Sequence, residues 1–112
     1  MNWYIAKVIF NISTGSGSHK SQFDEHLRLI QATSFEEALL KARILGITEE
    51  DKFINDKFQP VQWEFVNVAE LIPLEDLKDG LEVYSQICEK EEASDYIHYV
   101  HQKAVSLELT HC

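Results

Sequence analysis

From Tyr4 to Ile12 every second residue is apolar: Tyr4, Ala6, Val8, Phe10 and Ile12. A two-residue period in a run rich in aromatic and β-branched side chains predicts a strand over residues 2–12 with one continuous apolar face. The opposite face carries Trp3, Ile5, Lys7, Ile9 and Asn11 and is mixed. That pattern suits a central strand covered fully on one side and partly on the other. The polar, glycine-containing run 13–21 predicts a wide loop. Phe23, Glu25, Leu27, Leu29 and Ile30 then predict a second strand over 22–33, antiparallel to the first.

At Ser34 the period changes. Phe35, Ala38, Leu39, Ala42 and Leu45 lie at the spacing of one helical face, which predicts a helix over 35–45. Ser34 is a preferred N-cap, Glu37 stands where a capping box needs it, and Glu36 and Glu37 put negative charge at the positive end of the helix dipole. Gly46 is the expected C-cap. Thr48-Glu49-Glu50-Asp51 reads as a solvated turn and residues 53–58 as a short hairpin tip. Pro60 points to an edge or a bulge. Val61, Trp63 and Phe65 share one face of a strand over 61–68.

Further on, Pro73 fits the start of a single helical turn. Asp79-Gly80 marks a turn before a strand at 81–88. Ala93, Ile97, Val100, Ala104 and Leu107 predict a second amphipathic helix over about 91–107, with residues 109–112 frayed. The expected fold is one α+β domain over residues 1–112. Its order is β-β-α-β-β-α, with a small hairpin in the middle. The sheet is largely antiparallel, of four or five strands, with two helices on one face.

Charge narrows the function classes. The chain has 112 residues and a net charge of −9. Residues 1–60 carry eight acidic and seven basic side chains, whereas residues 61–112 carry eleven acidic and only Lys78, Lys90 and Lys103. Phosphate neutralisation needs clustered Lys and Arg, so nucleic acid is not an expected partner. No apolar run approaches the ~18 residues of a membrane span, and the first residues lack the pattern of a secretory signal. The two cysteines, Cys88 and Cys112, form no CxxC pair. A reduced, cytoplasmic protein is the expectation.

Candidate chemistry is thin. Gly15-Ser16-Gly17 is followed by His19-Lys20-Ser21 and a strand, so it lacks the helix that a phosphate-binding loop feeds. His98 and His101 are three apart on the second helix, near Asp95, without further ligands at diagnostic spacing. Cys88 alternates with Tyr84 and Gln86 and reads as a small, semi-buried strand residue rather than a nucleophile. Glu89, Glu91, Glu92 and Asp95 lack the calcium-loop pattern and suit the start of a helix. No catalytic, cofactor or metal site is therefore expected. The suggestive feature is aromatic: Trp3 and Tyr4 point to opposite faces, and Trp63 adds a second large ring. An exposed aromatic cluster beside an acidic rim would mark a partner site. The candidate interaction surface is Trp3, Trp63, Glu89, Glu91, Glu92 and Asp95.

Met1-Asn2-Trp3-Tyr4-Ile5-Ala6-Lys7, Phe23-Asp24-Glu25 with Leu27, Ser34-Phe35-Glu36-Glu37-Ala38 and Val61-Gln62-Trp63-Glu64-Phe65-Val66 occur in this order. Together they resemble small bacterial proteins of the domain-of-unknown-function 4288 family, over roughly residues 2–88. Phe58 stands where the resemblance implies a glycine after Asn55-Asp56-Lys57. The resemblance implies a common fold and a bacterial source, and no activity. The functional expectation is a non-enzymatic protein-interaction domain with an acidic C-terminal half. Its partner would be another protein of basic character, with a homodimer as a second arrangement. The alternative is a small-ligand sensor with a pocket between sheet and helices lined by Trp3 and Trp63.

Overall fold

The computed structural model describes residues 1–15 and 21–110. Four strands and two helices follow in the order β1 (Asn2–Thr14), β2 (Gln22–Ala32), α1 (Phe35–Thr48), β3 (Asp51–Ile54), β4 (Pro60–Leu74) and α2 (Ala93–Thr110). The strands form one antiparallel sheet in the spatial order β2-β1-β4-β3. The α+β class, the order β-β-α-β-β-α and the antiparallel first pair are as the sequence predicts. The sheet has four strands. The hairpin embellishment supplies β3, and the segment 81–88 forms no strand.

β1 is central, as its one apolar face and its mixed, partly apolar opposite face predict. It pairs with β2 without interruption, from Asn2 opposite Ala32 to Ile12 opposite Gln22. Against β4 the register shifts twice, between Lys7 and Val8 and between Ile9 and Phe10. Ala69 and Val66 are the extra residues at these bulges, which increase local twist. Pro73 lies in β4 opposite Tyr4 rather than opening a helical turn. β3 reaches only from Pro60 to Trp63 along β4, so the far side of β4 at Pro73 is an unpaired edge, where a missing N–H is tolerated.

One face of the sheet holds the core. Tyr4, Ala6, Val8 and Phe10 of β1, Ile30 and Ala32 of β2, and Ala38 and Ala42 of α1 are buried together. Leu45, Trp63, Phe65, Val68 and Leu71 pack around them. α1 starts as the capping residues dictate, with Ser34 Oγ accepting from the Glu37 amide at 3.1 Å. The Glu37 carboxylate turns to Thr33, whose hydroxyl donates to it at 2.6 Å, and not to Ser34. That hydroxyl holds the Glu37 carboxyl below its ordinary range.

Gly46 has a role its sequence position conceals. The helix runs past it to Thr48 and ends on Glu49, whose amide donates to the Leu45 carbonyl at 3.0 Å. Gly46 is buried against Phe65, and a Cβ there would stand 2.3 Å from two ring carbons. It is a contact glycine inside the helix, not the C-cap. Ala38, Ala42 and Gly46 recur every four residues, and this small-residue stripe lets α1 approach the sheet closely.

The hairpin tip forms as predicted, on an Asn55 side chain that accepts from the Lys57 and Gln59 amides at 3.0 and 2.9 Å. Phe58 occupies the left-handed region at φ 59°, the conformation that favours the glycine implied there by the resemblance.

The second helix departs from expectation. α2 forms, but neither the sheet nor α1 packs against it, so the two helices do not share a sheet face. Ile97, Val100 and Leu107 on its apolar stripe stay exposed. The radius of gyration, 18.0 Å, exceeds the ~13 Å of a compact domain of this length. Cys112 and most of the 13–21 loop, including Ser16, Gly17, His19 and Lys20, lie outside the described residues.

Candidate functional site

Alternate residues of the same strands make the open face of the sheet, opposite α1. On β1 these are Trp3, Ile5, Lys7 and Ile9. The register sets Trp3 beside Gln31 and Leu74, Ile5 beside Leu29 and Ile72, and Lys7 beside Leu27 and Glu70. Ile5 is buried, but Trp3 is 45% exposed and Leu29 63%, with Leu27 and Phe23 similarly open. Trp3, Leu29, Leu74, Met1 and Leu77 line a groove of about 440 Å³, and Asp76 lies on its rim.

A polar cluster interrupts this apolar strip at its centre. Lys7 Nζ lies 3.4 Å from Glu25 Oε1 and 6.0 Å from the centre of the Tyr84 ring. The Tyr84 hydroxyl stands 3.2 Å from Glu70 Oε1 and 2.9 Å from Gln86 Oε1, and its single proton serves one of them at a time. Glu70 Oε2 is buried without a hydrogen-bond partner. The bond to Glu25 holds the Lys7 ammonium above its ordinary range, against the opposing effect of burial. The bond to Glu70, aided by burial, raises the Tyr84 phenol. Here lies the reason that 81–88 is no strand: Tyr84 fastens the segment across the open face through side-chain contacts instead of adding it to an edge. Tertiary contacts override β-propensity.

The candidate surface residues do not converge. Trp3 is on the open face, and Trp63 is half-buried on the α1 face, its ring 6.0 Å from Phe10. Trp3 sits opposite Leu74 and Trp63 opposite Ile12, at opposite ends of the sheet. Glu89, Glu91 and Glu92 precede α2 and Asp95 is in its first turn, with the Glu92 carbonyl accepting from the Tyr96 amide at 3.3 Å. Cys88 is exposed and outside any strand, correcting the semi-buried strand position expected for it. His98 and His101 are exposed on α2. Among the described residues, no group of three or more His, Cys, Asp or Glu is placed to hold a metal ion, and no helix is long and apolar enough to cross a membrane.

No local pattern in the sequence groups Lys7, Glu70 and Tyr84. The available signal was Lys7 itself, a lone charge within an otherwise apolar segment of β1. Its partners come from residues 18 to 77 positions away, beyond the reach of any periodicity. His26, which stands at no diagnostic ligand spacing in the sequence, is bonded to Asp24, and its ring lies 5.3 Å from Phe10 at the rim of the core.

Residues 3–85 match the model of a family described as a domain of unknown function, DUF4288. The matched span takes in all four strands, α1 and Tyr84. No curated protein and no solved structure matches the chain.

Proposed function

The chain belongs to the DUF4288 family, and we propose that it is a non-enzymatic protein-interaction domain of the bacterial cytoplasm that docks through the open face of its sheet. The observation that supports this reading is the apolar group of Trp3, Leu29 and Leu27 left exposed beside a buried Ile5, with Phe23 beyond Glu25 on the same face. Exposed apolar area of this kind, rimmed by polar groups, marks a site of association. Glu75 and Asp76 border the groove beside Trp3, and Asp79, Glu82, Glu89, Glu91 and Glu92 follow them along the chain. A partner with an apolar centre and a basic border is the complement, its approach speeded by the opposite charge.

The test is capture of partners by the tagged chain beside a Trp3→Ala, Leu29→Ser variant. The wild type is expected to retain one stoichiometric basic protein, weakly at high salt, and the variant to lose it at unchanged melting temperature. Equal capture by both chains would remove the open face from the interaction.

The groove of about 440 Å³ beside Trp3 favours a second reading, a small apolar ligand held there. Its volume is within the range of small-molecule sites. A thermal-shift screen separates the two readings, since a ligand of the native state raises the melting temperature without any partner protein.

A further inference from the structure

The two edges of the sheet are unequal. The outer edge of β3 is four residues long and ends in a turn. β2 offers eleven residues with no proline, no glycine and no break in its register against β1. At about 3.4 Å per residue that is roughly 37 Å of edge. Among the described residues, no strand pairs with its outer side. Free edges are commonly blunted by proline, a bulge or charged side chains, lysine above all; β2 has no proline, bulge or lysine but carries Asp24, Glu25 and Arg28. Its charges follow another plan.

Around His26 the strand is self-complementary. Asp24 and Arg28 flank it two residues away, Glu25 and Leu27 one residue away, and Phe23 and Leu29 three residues away. Resting on the interaction reading above, we infer that the partner at this edge is a second copy of the chain, paired antiparallel through β2 about a two-fold axis at His26. In that arrangement Asp24 of each copy faces Arg28 of the other, and Phe23 faces Leu29. Opposite charges and apolar pairs directly across two strands both favour pairing. Like charges meet at none of the Asp24, Glu25 or Arg28 positions. At the axis itself the two His26 rings are turned inward, each bonded to its own Asp24 and lying on its own Phe10.

Backbone geometry fits the same register. The Gln31 carbonyl accepts from Lys41 Nζ at 2.7 Å, which marks it as facing outward. The two-residue repeat of an antiparallel ladder then turns the N–H and C=O groups of Phe23, Glu25, Leu27 and Leu29 outward as well. Centring on His26 pairs these residues with one another (Phe23 with Leu29, Glu25 with Leu27). The already satisfied Gln31 carbonyl falls outside the ladder. The product is a continuous sheet of two four-stranded halves. Phe23, Leu27 and Leu29 of both copies then lie on the same open side, with the two Glu25 side chains among them, enlarging the docking surface beyond what one chain presents. Arg28 is shared with Glu49, 3.2 Å away in its own chain, and a guanidinium has donors for both carboxylates. A C₂ pair is the commonest closed assembly.

The test is sedimentation and light scattering over a dilution series, with two charge reversals. Asp24→Lys sets Lys against Arg28 twice, and Arg28→Glu sets Glu against Asp24 twice. Each variant alone is expected to raise the dimer dissociation constant at least tenfold. An equimolar mixture is expected to recover wild-type affinity, because the mixed pair restores both attractive contacts. Amide exchange on the wild type gives a readout free of any folding defect: the Phe23, Glu25, Leu27 and Leu29 amides should lose protection on dilution. A wild type monomeric at every concentration, a mixture that fails to recover, or amides that exchange freely throughout would each overturn the dimer. Capture is scored separately with Trp3→Ala alone, because Trp3 lies on β1 outside the dimer seam whereas Leu29 belongs to both surfaces.

Discussion

The two faces of this sheet are built by alternate residues of the same strands, and they have opposite fates. Under α1, Tyr4, Ala6, Val8 and Phe10 are buried almost completely, Phe10 to 1% exposure. On the other side the same strand presents Trp3 to solvent and keeps Lys7 in a polar cluster with Glu25, Glu70 and Tyr84. The covered face is sealed by a helix that carries small residues toward it. The open face is crossed by an irregular segment fastened at one tyrosine. The contrast teaches that strand composition alone does not decide burial. Leu27 and Leu29 are as apolar as Val8, yet they stay exposed, and on their side of the sheet only Ile5 of β1 is buried.

Mutations on the two sides should therefore differ in kind. Phe10→Ala removes the largest fully buried side chain and should lower stability by ~3–5 kcal/mol in chemical denaturation. Gly46→Ala is next: the added methyl meets the Phe65 ring, and overpacking of this kind should cost ~1–3 kcal/mol. If Gly46→Ala were instead stabilising, as removal of an interior helix glycine ordinarily is, the close contact of α1 with Phe65 would be wrong. Ser34→Ala deletes the cap that starts the same helix and should cost about 1 kcal/mol. Trp3→Ala, on the open side, should change stability by less than ~0.5 kcal/mol while weakening partner capture. A large loss of stability there would mean that something covers the face.

Proton linkage separates the faces again. The Glu37 carboxyl is lowered, first by the Thr33 hydroxyl. Its contribution to α1 is present above the ordinary value of 4.5 and is lost as pH falls through the lower folded value. Tyr84 is raised, first by its bond to Glu70, so its contribution is complete below the ordinary value of 10.0 and is lost as pH rises through the higher folded value. Lys7 is raised as well, first by Glu25, and follows the same sign on the alkaline side. Titration into alkali should loosen the 81–88 segment, read as Tyr84 ionising later than free tyrosine. Tyr84→Phe should abolish that late step and leave the acid limb unchanged.

Much of this was legible in the residues. The alternation of Tyr4 to Ile12 specified β1, and the change of period at Ser34 specified the start of α1, because both signals are local and repeat along the chain. The 3.6-residue spacing of Ile97, Val100, Ala104 and Leu107 likewise specified α2. The hairpin at Asn55 to Phe58 followed from side chains that bond their own backbone. What the residues could not reveal was which element each apolar surface meets. Gly46 reads as a helix end until Phe65, nineteen residues on, is placed against it. Leu81–Cys88 has the composition of a strand, and only the position of Glu70 and Lys7 turns Tyr84 into a tether. α2 has a face fit for a sheet, and among the described residues no strand packs against it. Local periodicity determines what a segment can bury. Whether it buries it depends on distant parts of the chain brought together by the register of β1 between β2 and β4, a property that exists only in three dimensions.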